Sequence, residues 1–247
     1  PAVQGWLGRR GATAIATKLG TRASVGSVNL GFLNRLVIDD VVLLDQQQDT
    51  LLRANRLSVR VEVLPLLDGR ISISSAQLFG AHAHLYQADA DTPANYQFVI
   101  DALQSADSAG SSRLDLHIGS LILRRSSMSY DRGDSLQTPG HLNPGHLHVD
   151  NISAHVVLKT LTPDSLNLNL KRLSFTEQSG LTVERLSGYA EAGASHAHVR
   201  GLCLQMPLSV VRIDSLRATY DAGRFSETLI YEGTVDGSRL AIAELAP

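Results

Sequence analysis

Apolar residues along this chain recur in an eight-residue phrase rather than in plain alternation: apolar, any, apolar, any, any, apolar, any, apolar, found nine times. The first four copies run through Ala23, Val25, Val28 and Leu30; Leu36, Ile38, Val41 and Leu43; Leu52, Ala54, Leu57 and Val59; and Ile71, Ile73, Ala76 and Leu78. Two more follow at Leu116, Ile118, Leu121 and Leu123 and at Leu147, Val149, Ile152 and Ala154. The last three use Leu168, Leu170, Leu173 and Phe175; Leu181, Val183, Leu186 and Gly188; and Val211, Ile213, Leu216 and Ala218.

Successive side chains of a strand point to opposite faces, so period-two spacing gathers apolar residues on one face. The double spacer breaks that phase, and one extra residue, a β-bulge, is the simplest way to keep all four on the same side. Polar backs such as Ser24, Gly26 and Asn29, or Asn167, Asn169 and Lys171, complete a one-sided antiparallel sheet. Bulges bend and twist strands, so the pattern predicts a mainly β fold: a repetitive, bulged antiparallel sheet curled into a hydrophobic groove. A closed β-sandwich satisfies the same periodicity and stays open as an alternative.

A helix is expected over residues 1–20, with Val3, Leu7, Gly11, Ile15 and Leu19 on one face and Gly20 as its stop. Its place is the capped end of the sheet or, with Trp6, Arg9 and Arg10, a membrane surface. Strands are expected over 21–30, 36–44, 51–63 and 70–79, with 81–87 pairing back on the last. A second helix is expected over 94–105, striped by Tyr96, Val99, Ile100 and Leu103. After a Ser, Ala and Gly-rich loop come strands 114–124 and 128–131, a polar loop at 132–144, and then strand and tight turn almost to the end. We read residues 1–247 as one elongated domain, a capping helix followed by a β-groove over 21–247. Opening at Pro1 without Met and closing just after a strand-like stretch, it reads as a fragment of a longer chain.

Charge and composition narrow the functions. With 22 basic and 24 acidic residues the net charge is −2, and no run of Lys and Arg offers a nucleic-acid footprint. Aromatics are only 5%, too few to supply stacking platforms, so aliphatic contact is the available chemistry. Cys203 is the single cysteine and forms no disulfide within the chain. No apolar run approaches the ~18 residues of a membrane span.

Three His-x-His pairs, His82/His84, His146/His148 and His196/His198, have the strand spacing that suits Zn²⁺ or Fe²⁺. None has a third ligand at a recognisable offset, so a metal-dependent enzyme remains a remote reading. No nucleophile elbow, phosphate loop or converging carboxylate pair is present; Asp39 and Asp40 fall on a spacer. We expect no catalytic residues and no cofactor. An oily groove has another use: at ~0.8 kcal/mol per buried methylene, a fatty-acyl chain gains on the order of 10 kcal/mol before ordering and association costs. The candidate lining is Val25, Val28, Leu30, Leu36, Ile38, Val41, Leu57, Val59, Ile71, Ile73, Leu78, Leu116, Ile118, Leu121, Val149, Ile152, Leu168, Leu170 and Leu173. Alternatively, a polypeptide adds a strand to an open edge.

The order of elements around Leu19-Gly20-Thr21, Val25 to Leu30, Leu36 to Asp45, Leu51-Leu52-Arg53-Ala54 and Leu64 to Ile73 with Gly69 resembles the N-terminal region of the AsmA-like superfamily, most closely its TamB branch. The likeness is specific over residues 1–87; beyond them it is β-repeat character plus Ser129-Tyr130-Asp131 and the stretch from Leu170 to Leu181. The resemblance implies a periplasmic body held in the inner membrane by an anchor before Pro1, its bent sheet carrying phospholipid acyl chains between membranes. For the TamB branch it also implies support of outer-membrane protein assembly with a barrel partner, met through a C-terminal region beyond this sequence. It brings no catalytic residues.

Overall fold

The structure is a computed structural model and describes residues 20–31, 34–61, 71–105, 114–115, 119–138, 140–162, 164–221 and 224–244. The expected helix over 1–20 lies almost wholly outside them. Thirteen strands build one sheet. The first half holds β1 (Ala23–Ser24), β2 (Ser27–Leu30), β3 (Arg35–Leu44), β4 (Thr50–Val61), β5 (Ile71–Gln87), β6 (Leu114–Asp115) and β7 (Ser120–Arg132). The second half holds β8 (His146–Thr162), β9 (Ser165–Glu177), β10 (Thr182–Gly193), β11 (His196–Gln205), β12 (Val210–Thr219) and β13 (Ile230–Val235). Helix α1 spans Gln97–Ser105, and a single turn, α2, spans Phe225–Thr228.

The ladder runs β1-β3-β4-β5-β7-β8-β9-β10-β11-β12-β13, with β2 beside β1 on the same edge of β3 and β6 beside β7 on the same edge of β5. Among the described residues no second sheet covers it, so the architecture is an open, curved, mainly antiparallel sheet and not a sandwich. The accessible surface, 14692 Å², exceeds the roughly 10,700 Å² expected of a compact monomer of this mass, as a single uncovered layer requires.

Three expectations need correction. Residues 71–87 are one long strand, not the expected strands 70–79 and 81–87 pairing back on each other: β5 passes straight through Gly80, whose φ of 60° only glycine adopts without strain. There the Asn55 side chain also occupies the place of a Cβ. Likewise 120–132 is the single strand β7. Second, the sheet is not antiparallel throughout, because β5 and β7 run parallel, Ala76 opposite Leu121 and Leu85 opposite Tyr130. Parallel neighbours need a crossover, and the chain between them supplies it with α1, which packs against β8. The helix itself starts at Gln97; residues 95–96 form a turn, with the Gln97 amide bonded to Ala94 O, and Ala102 joins its buried face.

The third correction concerns the spacers. In β3 and β4 the register runs unbroken through them, Ile38 opposite Leu57 and Val41 opposite Ala54, because both strands carry the same extra residue. In five strands a left-handed residue sits at the phase change: Asp40 in β3, Gly80 in β5, Arg125 in β7, Asn151 in β8 and Gly201 in β11 all have positive φ, and all but Arg125 sit second in a double spacer of the phrase. Register shifts occur at the spacers between β7 and β8, β8 and β9, and β9 and β10, and also between β10 and β11, between β12 and β13, and near the ends of the β3-β4 and β4-β5 ladders.

Candidate functional site: an apolar face along the sheet

Although the spacers are offset between several strand pairs, apolar positions still line up across the ladder. One row runs Ile38, Leu57, Leu78, Leu123, Ala154, Leu173, Leu186, Leu204, Val211, each the register partner of the next. A second runs Leu36, Val59, Ala76, Leu121, Val156, Leu170 and Gly188. At the usual interstrand spacing the first row is about 38 Å long. The face is closed at one end and open at the other. Ile38, Val41, Ala54 and Ala81 form a buried cluster against which Val25, Val28, Leu36, Leu52, Leu57 and Leu78 pack. Farther on, Val149, Ile152 and Ala154 are buried on β8, the strand α1 touches. From β9 to β12 the row residues are only half-buried, and β13 is exposed throughout.

The structure therefore brings together Val25, Val28, Leu36, Ile38, Val41, Leu57, Val59, Leu78, Leu121, Val149, Ile152, Leu168, Leu170 and Leu173 on one face. Leu30 pairs with Leu36 and Ile73 with Val61 through the backbone, as Ile71 does with Leu114. Leu116 and Ile118 lie outside the described residues. Two copies of the phrase escaped the sequence reading: Ala76-Leu78-Ala81-Ala83 on β5 and Ala197-Val199-Leu202-Leu204 on β11. Their signal was a glycine in the second spacer slot, Gly80 and Gly201, flanked by alanines too small to register as a hydrophobic run.

The histidine pairs do not converge. His82 Nδ1 lies 2.6 Å from Ser127 Oγ, the rings of His84 and Tyr86 are 5.6 Å apart, and His198 Nε2 lies 2.9 Å from Ser215 Oγ. His148 faces Asp150 at 3.6 Å, and Tyr220 donates to the carbonyl of His196. Among the described residues no three His, Cys, Asp or Glu side chains are placed to hold a metal ion. Asp39, on the β3 spacer, accepts a 2.7 Å bond from Arg56, which holds its carboxyl below the usual range.

His146 has a different role, pinning the polar loop after β7. Its Nδ1 is 3.0 Å from Asp131 Oδ1 and its Nε2 2.9 Å from Ser135 O. Both partners are acceptors, and only the protonated ring donates from both nitrogens. The Ser135 carbonyl, then Asp131, thus raise its pKa above the ordinary value. A raised folded-state pKa gives stability that is complete below the unfolded value, about 6.5, and disappears as pH rises through the folded one. An NMR titration of the His146 ring is expected to show that elevation and its reduction in Asp131→Asn; identical titrations in both proteins would refute the role.

The fold and its face define a class in physical terms: among the described residues, a single-layer β-sheet with a continuous apolar face whose row residues are only half-buried from β9 to β12. The chain matches no family model, and no curated protein matches it either. Among the described residues no helix is long and apolar enough to cross a membrane.

Proposed function

We propose that this chain is a non-enzymatic segment of a conduit of the AsmA-like, TamB-type kind, in which phospholipid acyl chains lie along the apolar face on their way between the inner and outer membranes. The observation that carries this reading is the pair of apolar rows, unbroken from β3 to at least β10 yet only half-buried from β9 onward. Contiguous apolar surface on that scale marks a binding face, and an aliphatic lining with few rings and no charge in the rows matches acyl chains. On this reading the body is periplasmic, tied to the inner membrane by a segment before Pro1. Its exposed edge strand β13, with Ile230 and Tyr231 each 72% accessible, favours a second role in outer-membrane protein assembly, since an open edge accepts a strand from a partner.

The test is native mass spectrometry with lipid extraction on protein exported to a bacterial periplasm, comparing the parent chain with Leu170→Asp/Leu204→Asp. Co-purified phospholipid in the parent, reduced at least several-fold in the folded variant, is the expected result. A parent free of lipid would overturn the conduit and leave the strand-addition role.

A further inference from the structure

The sheet holds a feature the lipid reading does not use. A recess of about 480 Å³ opens across β5, β7, β8 and β9, and three arginines line it: Arg124, Arg125 and Arg172. The sheet register brings them together. Arg124 stands opposite Phe79, Arg172 stands opposite His155, and His155 stands opposite Ile122, so neighbouring side chains start about 5 Å apart. Phe79 and Ile122 give the recess an apolar floor, and Arg125 lies 5.5 Å from the centroid of the Phe79 ring.

The three arginines flank β8, two on β7 and one on β9, and some arginines elsewhere in the sheet are answered by a carboxylate. Arg56 bonds Asp39 at 2.7 Å, Arg132 bonds Asp134 at 2.5 Å, and Arg200 faces Glu191 at 3.9 Å. Among the described residues no carboxylate is paired with Arg124, Arg125 or Arg172. The net charge of the whole chain is −2, so this is a local concentration and not a general basicity. Guanidinium forks fit phosphate oxygens two at a time. We infer that this recess is an anion site that takes the phosphoryl group of a phosphate ester, carried by a soluble molecule or by a lipid headgroup. Its arginines are strand neighbours of row residues, and Leu123 and Ala154 of the first row also line it, yet phosphate binding there is read out separately from acyl chains in the trough.

The experiment measures binding of inorganic phosphate by calorimetry, and co-sedimentation with phosphatidylglycerol vesicles against phosphatidylcholine vesicles, at low and at physiological salt. The proteins are the parent chain, Arg124→Ala/Arg172→Ala, Arg125→Ala, and Arg217→Ala as an equal charge loss on β12, each checked for fold by circular dichroism. Saturable phosphate binding, roughly tenfold weaker in the double variant and unchanged in Arg217→Ala, is the expected result. Binding to phosphatidylglycerol vesicles alone, with the same dependence on the three arginines, assigns the phosphoryl group to a headgroup. If the double variant does not fold, Arg125→Ala carries the same comparison. Absence of saturable binding to either probe, or equal binding by Arg217→Ala and the recess variants, overturns the site.

Discussion

Asp45→Ala is expected to cost about 3 kcal/mol of folding stability, because it orphans several buried donors at once. Asp45 is fully buried at the turn between β3 and β4. Its Oδ1 accepts the Gln47 and Asp49 amides, each at 2.9 Å, closing the turn. Its Oδ2 accepts the Tyr86 hydroxyl at 3.0 Å and the Asn95 side-chain amide at 3.3 Å. Asn95 in turn donates to His84 O at 3.0 Å and accepts the Tyr86 amide at 2.9 Å. One carboxylate thus ties the β3-β4 turn, the end of β5 and the entry to α1, three places where the topology changes. Asp45→Asn keeps the turn acceptor but sets an amide N–H₂ against the donors of Tyr86 and Asn95, so its loss is expected to be smaller, about 1 to 2 kcal/mol.

The same site sets an acid limit. Burial pushes the Asp45 carboxyl upward, but the bonds from the Asp49 amide, Tyr86, Asn95 and the Gln47 amide outweigh it and hold the group below the ordinary carboxylate value. Glu177, buried at the β9-β10 turn, follows the same balance: burial is opposed by Ser179 and by the backbone amides of Ser179, His148 and Gln178, and the net shift is downward. A depressed folded pKa gives stability that is present above the unfolded value, about 4, and is lost as pH falls through the folded one. Urea denaturation of the parent chain at pH 7 and at pH 3 is expected to show the loss, and Asp45→Asn to show less of it. A pH-independent midpoint across that range would remove both carboxylates from this account.

How much of this was legible beforehand follows from what each residue type signals. The eight-residue phrase located the apolar face, because Leu, Ile and Val at fixed offsets leave little freedom over which side they share. It did not locate the strand boundaries in the middle of the chain. Gly80 read as a hairpin turn, since glycine between two apolar runs ordinarily is one; here the residues on both sides continue one strand, and the positive φ is used inside it. Asp40, Arg125 and Asn151 perform that function without being glycine, and nothing in a single sequence distinguishes them from ordinary exposed polar residues. The parallel step at β5 and β7 was equally hidden. Its cause is the crossover containing α1, whose stripe was visible but whose docking on β8 depends on residues some fifty positions away. The arginine recess had no sequence signal at all, because its members come from four strands that only the register brings together.

Ile38→Asp and Leu170→Asp should behave as opposites, although both residues occupy apolar slots of the repeat. Ile38 is 4% exposed within the cluster of Val41, Ala54 and Ala81. An unpaired carboxylate there forfeits the packing of a large side chain and has no partner, a loss expected to exceed about 4 kcal/mol. Leu170 sits opposite Val156 and Gly188, where the face is only half-buried. Aspartate at that place keeps its water, and the cost is expected to stay near 1.5 kcal/mol, the lower end for removing one apolar side chain from contact. Urea midpoints of the two variants measure the contrast directly. Equal and severe destabilisation would mean that β9 lies under a cover like the one at β3, and the trough would be a core. A folded Leu170→Asp beside an unfolded Ile38→Asp establishes an apolar face stable without an occupant. A loss of lipid by Leu170→Asp/Leu204→Asp can then be read as the loss of a binding surface and not of the fold.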